Sequence, residues 1–218
     1  METIIFIAII LAAYLLGSVP SAVWIGRIFF NTDVRNSGSG NAGATNAIRV
    51  LGWQAGIAVF VMDLLKGWVA VQLVGLIPAR MMTPDQYTGM RILAAIAVVS
   101  GHIFPVFARF RGGKGVATLV GVGIALFPLA LPVAACIFFL ILLTSGYVSL
   151  ASIITSIAFP FLVFLLFPPD AALLKWFSVL IAIFIPLTHR KNIVRLMKGE
   201  ESRFIGRKKN PGTGEPEK

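Results

Sequence analysis

Long apolar runs recur along this chain with only short polar segments between them, and that alternation leaves few folds open to it. The runs lie at about Ile4 to Phe30, Gln54 to Ile77, Ile92 to Phe107, Val116 to Ser145, a stretch ending at Phe167, and Leu173 to Leu187. About 20 apolar residues in a helix cross the roughly 30 Å of bilayer hydrocarbon, where a chain must satisfy its own backbone hydrogen bonds. Composition points the same way: 57% of the 218 residues are hydrophobic and 13% charged, where a soluble domain averages about 25% charged. The chain is read as all-α, a polytopic membrane helical bundle.

Charge asymmetry decides how many crossings to expect. Arg190 to Lys209 holds eight basic residues and two acids, and such clusters stay on the cytoplasmic side. The run from Val116 to Ser145 carries Pro128 and Pro132 at its centre and is read as two short helices. Seven spans then follow, with the N-terminus outside and the C-terminus cytoplasmic; five is the count if pairs merge. Seven spans gather Arg35, Arg49, Arg109, Arg111, Lys114 and the tail cations on the inner face and leave Arg80, Arg91 and Lys175 outside. Residues 1–203 form the membrane domain, and 204–218, without an apolar face, form a disordered basic and polar tail. Met1-Glu2-Thr3 lacks a basic leader and opens a first span, with a kink expected at Pro20. The basic tail is read as contact with membrane lipids, with no nucleic acid as partner.

Three polar clusters interrupt the apolar pattern. The first, Asn36 to Arg49, has three glycines in six residues, which let backbone N–H groups approach a ligand. Ser39, Asn41, Thr45 and Asn46 add neutral hydrogen-bonding groups, and Arg49 adds a fork suited to phosphate or carboxylate. An anion-binding loop at the membrane surface is the functional reading, and a linker the bland one. The second cluster, Arg111-Gly112-Gly113-Lys114-Gly115-Val116-Ala117-Thr118, sets a cation among glycines directly before a helical run, where free N–H groups favour an anion. A tight turn with juxtamembrane charge is the alternative. The third runs from His189 to Glu201 and brings His189, Asn192 and Arg195 onto neighbouring helical positions. Glu201 could orient a cation there, or the segment could be an amphipathic surface helix.

Two further features lie inside the apolar runs. Asp63 and Lys66 each cost about 2.5 to 3.5 kcal/mol at a bilayer centre on insertion scales, so they either pair with each other or support Arg49 or Lys114 near the inner boundary. His102, beside Pro105, is read as a hydrogen-bonded packing residue. The second cluster lacks Walker A spacing, and no Gly-x-Ser-x-Gly elbow or His-Glu-x-x-His pair occurs. Two histidines and a single cysteine, Cys136, argue against a metal site. Neither histidine is followed by the His-x4-Asp spacing of acyl-CoA-dependent glycerolipid acyltransferases.

Taken together, Gly38 to Asn46 with Arg49, Gly101 to Phe107, Gly112 to Thr118, and His189 to Glu201 closely resemble the bacterial PlsY family of membrane acyltransferases. Asp63-Leu64-Leu65-Lys66-Gly67 is similar to the family pattern as well. The resemblance implies transfer of a fatty acyl group from acyl phosphate to glycerol 3-phosphate, giving lysophosphatidic acid for phospholipid biosynthesis. It implies the cytoplasmic (inner) membrane with the active site facing the cytoplasm, no cofactor, and contact with the soluble acyl-phosphate-forming enzyme PlsX. Carried over by motif, Ser39, His189, Asn192 and Glu201 would be catalytic. Asn41, Thr45, Asn46, Arg49, Gly112, Gly113, Lys114 and Gly115 would bind substrate phosphate. Residues alone leave a carrier for a phosphorylated small molecule as the alternative.

Overall fold

In a computed structural model residues 2–205 are described, and they form helices joined by short turns. The helices are α1 (Glu2–Gly17), α2 (Ser21–Phe30), α3 (Ala44–Leu51), α4 (Trp53–Gln72) and α5 (Pro84–Ile103), followed by α6 (Val116–Leu126), α7 (Ala130–Ser145), α8 (Val148–Phe161), α9 (Ala172–Thr188) and α10 (Arg190–Met197). Among the described residues three stretches, 53–76, 84–108 and 148–166, are each long and apolar enough to cross a membrane. Two bent pairs raise that number to as many as five: α1 with α2, turning by 43° at Ser18 to Pro20, and α9 with α10, turning by 60°. The shorter α6 and α7 are apolar and separate at Phe127 to Leu129, as the prolines predict.

Small residues set how closely these helices approach. A Cβ on Gly17 would overlap the Val98 carbonyl, and one on Gly101 the Tyr14 carbonyl, so α1 and α5 touch backbone to backbone. Gly67 meets Thr118 and Gly121 meets Leu64 in the same way, which locks α4 onto α6. Close approach of this kind replaces the hydrophobic driving force that lipid does not supply. Gly121→Val is therefore expected to lower the melting temperature in detergent by about 5 °C, since overpacking costs about 1–3 kcal/mol and each kcal/mol moves a chain of this size by about 2–4 °C. An unchanged melting curve would show that α4 and α6 can separate freely.

The pair α4/α6 pins the start of α6, while its far end has a different anchor. Sequence reading leaves Arg91 outside the spans, but α5 begins eight residues before the expected Ile92. Thr83 and Gln86 form reciprocal caps there and Pro84 occupies the first turn, an arrangement that satisfies N-terminal donors at once. Arg91 consequently lies inside α5, with its Nη2 donating to the Ala125 carbonyl at 2.7 Å. Helix α6 stops after 11 residues, about 16 Å of rise, and the guanidinium satisfies one of its terminal carbonyls. Beyond it Phe127 packs edge-on to Phe159 and stacks with Phe177.

The start of the expected tail makes contacts of its own. Phe204 donates its N–H to the Gly146 carbonyl at 2.7 Å and sets its ring against Trp53, so contacts with the bundle extend past Arg203. The rest of the expected tail, 206–218, lies outside the described residues.

Candidate active site

The first glycine loop is built around one amide. Asn46 is 1% exposed; its Nδ2 donates to the carbonyls of Val34 and Ser37, and its Oδ1 accepts the N–H of Ser39. Gly38 takes φ +62°, and a Cβ there would overlap Asn46 Oδ1. The sequence reading groups Asn46 with the phosphate ligands. Both of its amide protons are engaged in shaping the loop. Among the described residues the side chains of Ser39, Asn41 and Thr45 hydrogen-bond to no protein group, and the hydroxyl of Ser39 lies on an exposed residue.

Upstream, Asp33 clamps Arg35 at 2.7 Å and Arg27 at 2.9 Å. The Arg35 hydrogen bonds hold the Asp33 carboxyl well below the usual carboxylate range. Arg35 then reaches the second loop, donating to the carbonyl of Ala108 at 2.9 Å. The two glycine loops are thus one assembly.

The second loop leaves α5 through a tight turn at Pro105 to Arg111, in which Arg109 and Phe110 both take left-handed backbone conformations. Gly112 and Gly113 donate their N–H groups to the carbonyls of Ile103 and His102. These two amides close the C-terminal end of α5. Gly115, at φ +82°, begins α6, and among the described residues the N–H groups of Lys114, Gly115 and Val116 have no protein acceptor. The Lys114 side chain turns to the third cluster and donates to Asn192 Oδ1 at 2.6 Å.

That bond begins a chain. Asn192 Nδ2 donates to Glu201 Oε1 at 2.6 Å, Ser149 Oγ donates to the same oxygen at 2.8 Å, and Arg195 Nε donates to Oε2 at 2.7 Å. Burial raises the Glu201 carboxyl, but the hydrogen bonds from Arg195, Asn192 and Ser149 outweigh it and hold the group below its ordinary range. Arg49 arrives from α3 and donates to the Ser202 carbonyl at 3.1 Å. Burial, with repulsion from Arg195 and Arg49, pushes Lys114 down to about 8 against the pull of Glu201. Three cations thus surround one carboxylate, with only Arg195 paired to it directly, and the excess of two positive charges in a partly buried space is the electrostatic setting for a phosphate dianion.

His189 sits at the bend between α9 and α10. Its Nδ1 lies 2.8 Å from the Ile185 carbonyl, so a neutral ring donates there and leaves Nε2 with a lone pair. Burial first, and the charge of Lys114 second, push this group down to about 4, and it is neutral at pH 7.

A family model described as glycerol-3-phosphate acyltransferase matches residues 7–199. The chain belongs to that family. Relatives bearing the family's name include one from Salinibacter ruber, 42% identical over 209 residues and covering 90% of this chain and 91% of its own. Another from Listeria monocytogenes serotype 4a is 45% identical over 202 residues, covering 93% and 98%. The crystal structure of PlsY (YgiH), an integral membrane glycerol 3-phosphate acyltransferase, in its glycerol 3-phosphate form superimposes with a TM-score of 0.81 at 36% identity, covering 91% of this chain and 95% of that one. Its lysophosphatidic acid form gives 0.76 at 34% identity, covering 91% and 94%.

Within this member of the family, Lys114, Arg49 and the pair Asn192 and Glu201 come together from three separate segments. Ser149, which sequence reading passes over, belongs with them. A signal for it exists, since Thr144-Ser145-Gly146-Tyr147 interrupts the apolar pattern just before it.

Proposed function

We propose that this glycerol-3-phosphate acyltransferase takes its acyl group from acyl phosphate and releases lysophosphatidic acid and inorganic phosphate. The observation that carries the reading is the gathering of three cations around Glu201: Arg195 pairs with it directly, Lys114 reaches it through Asn192, and Arg49 donates to the neighbouring Ser202 carbonyl. Both proposed substrates carry phosphate, and a site with surplus cations suits two anions. Next to it an apolar slot of about 210 Å³ opens between α5, α6 and α9, lined by Val99, Leu119, Ile181 and Phe184 among others. Val99 and Phe184 also flank Gly115, so the slot starts directly behind Lys114, and a fatty acyl chain suits such a lining.

Acyl phosphate is a mixed anhydride whose phosphate leaves with little need of protonation. The glycerol hydroxyl oxygen attacks the acyl carbon, the new ester C–O bond forms, and the C–O bond to phosphate breaks. The protein's task is to align the hydroxyl and stabilise the oxyanion. In this reading Lys114 and Arg49 hold phosphate, Asn192 and Glu201 aim Lys114, and Ser39, Asn41 and Thr45 supply donors from the first loop. His189 Nε2 and the phosphate itself are the two acceptors for the hydroxyl proton. Contact with the soluble enzyme PlsX, as source of acyl phosphate, belongs to the same proposal.

Seven crossings with the N-terminus outside and the site on the cytoplasmic side of the inner membrane complete it. In support, hydrogen bonds tie 33–49, 103–113, 146–149 and 189–204 into one end of the bundle, which fits alternating crossings by α1, α4, α5, α6, α7, α8 and α9.

The deciding experiment supplies the purified protein with radiolabelled glycerol 3-phosphate and either acyl phosphate or acyl-CoA of the same chain length. Label entering lipid with acyl phosphate alone is the expected result; equal use of acyl-CoA would overturn the donor assignment. A pH profile adds an independent check. Lys114 is charged below about pH 8 and loses its proton above it, so kcat/KM is expected to fall about tenfold per pH unit beyond that point. Lys114→Arg should move the fall to higher pH, because guanidinium stays protonated.

A further inference from the structure

Below the two glycine loops lies a group of buried ionisable side chains that the proposed mechanism does not use. Asp63 is 1% exposed, Lys66 5%, His102 6% and Ser21 2%. Asp63 Oδ1 receives Lys66 Nζ at 2.8 Å and Ser21 Oγ at 2.9 Å, and lies 3.6 Å from His102 Nδ1. Lys66 also donates to the Val19 carbonyl at 3.0 Å, in the break between α1 and α2. Burying charges in a span is costly even when they pair. An i, i+3 pair alone would account for Asp63 and Lys66 but not for their joint hold on the broken helix, Ser21 and His102.

The far side of His102 shows what this arrangement supports. Its carbonyl accepts the Gly113 N–H at 3.2 Å. Its ring lies so close to Gly113 that a Cβ there would overlap Nε2 and come within 3.0 Å of Cε1. The same hypothetical Cβ would sit 3.3 Å from the carbonyl oxygen of Ala42, which belongs to the first loop. Gly113 is therefore wedged between the His102 ring and the first loop, and the next residue is Lys114. A small cleft at this junction is lined by Ser21, Ala42, Asp63, Lys66, His102 and Gly113 among others.

We propose that Asp63 and His102 are positioning residues, with the carboxylate fixing the imidazole and the imidazole forming the floor on which Gly113 rests, so that together they set where Lys114 meets phosphate. This rests on the reading of Lys114 as a phosphate ligand. Neither side chain touches substrate. Each acts through the backbone of the second loop: the Asp63 carboxylate, held by Lys66 and Ser21, faces His102 Nδ1 across 3.6 Å and orients the ring by charge rather than by a hydrogen bond.

The test uses the full chain in detergent, with calorimetric binding of glycerol 3-phosphate and steady-state kinetics as separate readouts. Gly113→Ala is expected to weaken glycerol 3-phosphate binding about 100-fold by driving a methyl group into the ring. Adding His102→Ser removes the ring and should recover at least tenfold of that loss. Asp63→Asn, which keeps the shape and loses the charge, should raise KM for glycerol 3-phosphate about tenfold while kcat changes less than threefold. A double variant no better than its worse parent, or an Asp63→Asn that lowers kcat and leaves KM untouched, overturns the positioning role. If Gly113→Ala does not fold, the Asp63→Asn split in KM and kcat decides alone. Failure of the underlying reading looks different: Lys114→Met would then bind glycerol 3-phosphate as well as the unaltered chain.

Discussion

Lys114→Met is expected to reduce kcat/KM for acyl transfer about 10³-fold, with the protein still folded. The ammonium is half-buried where the Arg49 guanidinium is exposed, and its 2.6 Å bond to Asn192 aims it. Removing one donor that meets developing negative charge costs about 10² to 10³ in rate, and here the ground-state grip on phosphate goes as well. Methionine keeps the length and apolar volume of the stem, so packing against the loop survives. Lys114→Arg should retain part of the activity, since charge remains but the planar fork does not fit a contact made by a compact ammonium. Steady-state kinetics with glycerol 3-phosphate as the varied substrate provides the measurement. A loss of less than tenfold in Lys114→Met would remove this residue from the phosphate site.

Glu201→Gln is expected to cost about 10²-fold and, in addition, to shift the pH profile. The carboxylate accepts hydrogen bonds from Asn192, Ser149 and Arg195, and bonds to a charged group contribute about 1.5–3 kcal/mol each. Glutamine keeps the outline but turns one oxygen into an NH2 that faces donors. It also removes the negative charge that opposes the repulsion of Lys114 by Arg49 and Arg195. Lys114 should then lose its proton at lower pH, and the alkaline fall in kcat/KM should begin below about pH 8. A merely structural role for Glu201 predicts lower activity with the fall unmoved, so a profile recorded from pH 6 to 9.5 separates the two.

Much of this was readable from residues, for a plain physical reason. Lipid makes backbone satisfaction compulsory, so an apolar run of the right length is a helix whatever its neighbours do, and the breaks at Pro20 and Pro128 follow from proline's missing N–H. Glycine-rich polar segments between such runs can only lie at the ends of the bundle, which is why Lys114 and Arg49 stood out. Hydrogen-bond bookkeeping was not readable. Asn41 and Asn46 are the same residue type five positions apart, yet among the described residues the Asn41 side chain meets no protein group while Asn46, already in α3, holds three backbone groups. Gly112 and Gly113 resemble a phosphate cradle in sequence, but their N–H groups finish α5.

The start of α5 shows the limit from the other direction. Hydropathy placed it near Ile92, whereas capping by Thr83 and Gln86 carried the helix back through Arg91. An arginine expected outside the spans became the anchor for the end of α6.

The sequence by itself determined a helical membrane protein, the order of its spans, and the three polar clusters that set its family. Tertiary structure alone decided that Ser149 and Glu201 meet, that Asp63 and Lys66 lie beneath His102, and that Gly113 separates that floor from Lys114. The distinction is one of range. Helix formation in lipid and turn chemistry depend on a residue and its near neighbours, while partners 52 or 78 positions apart are chosen by how glycine-faced helices lock together, which no local pattern records.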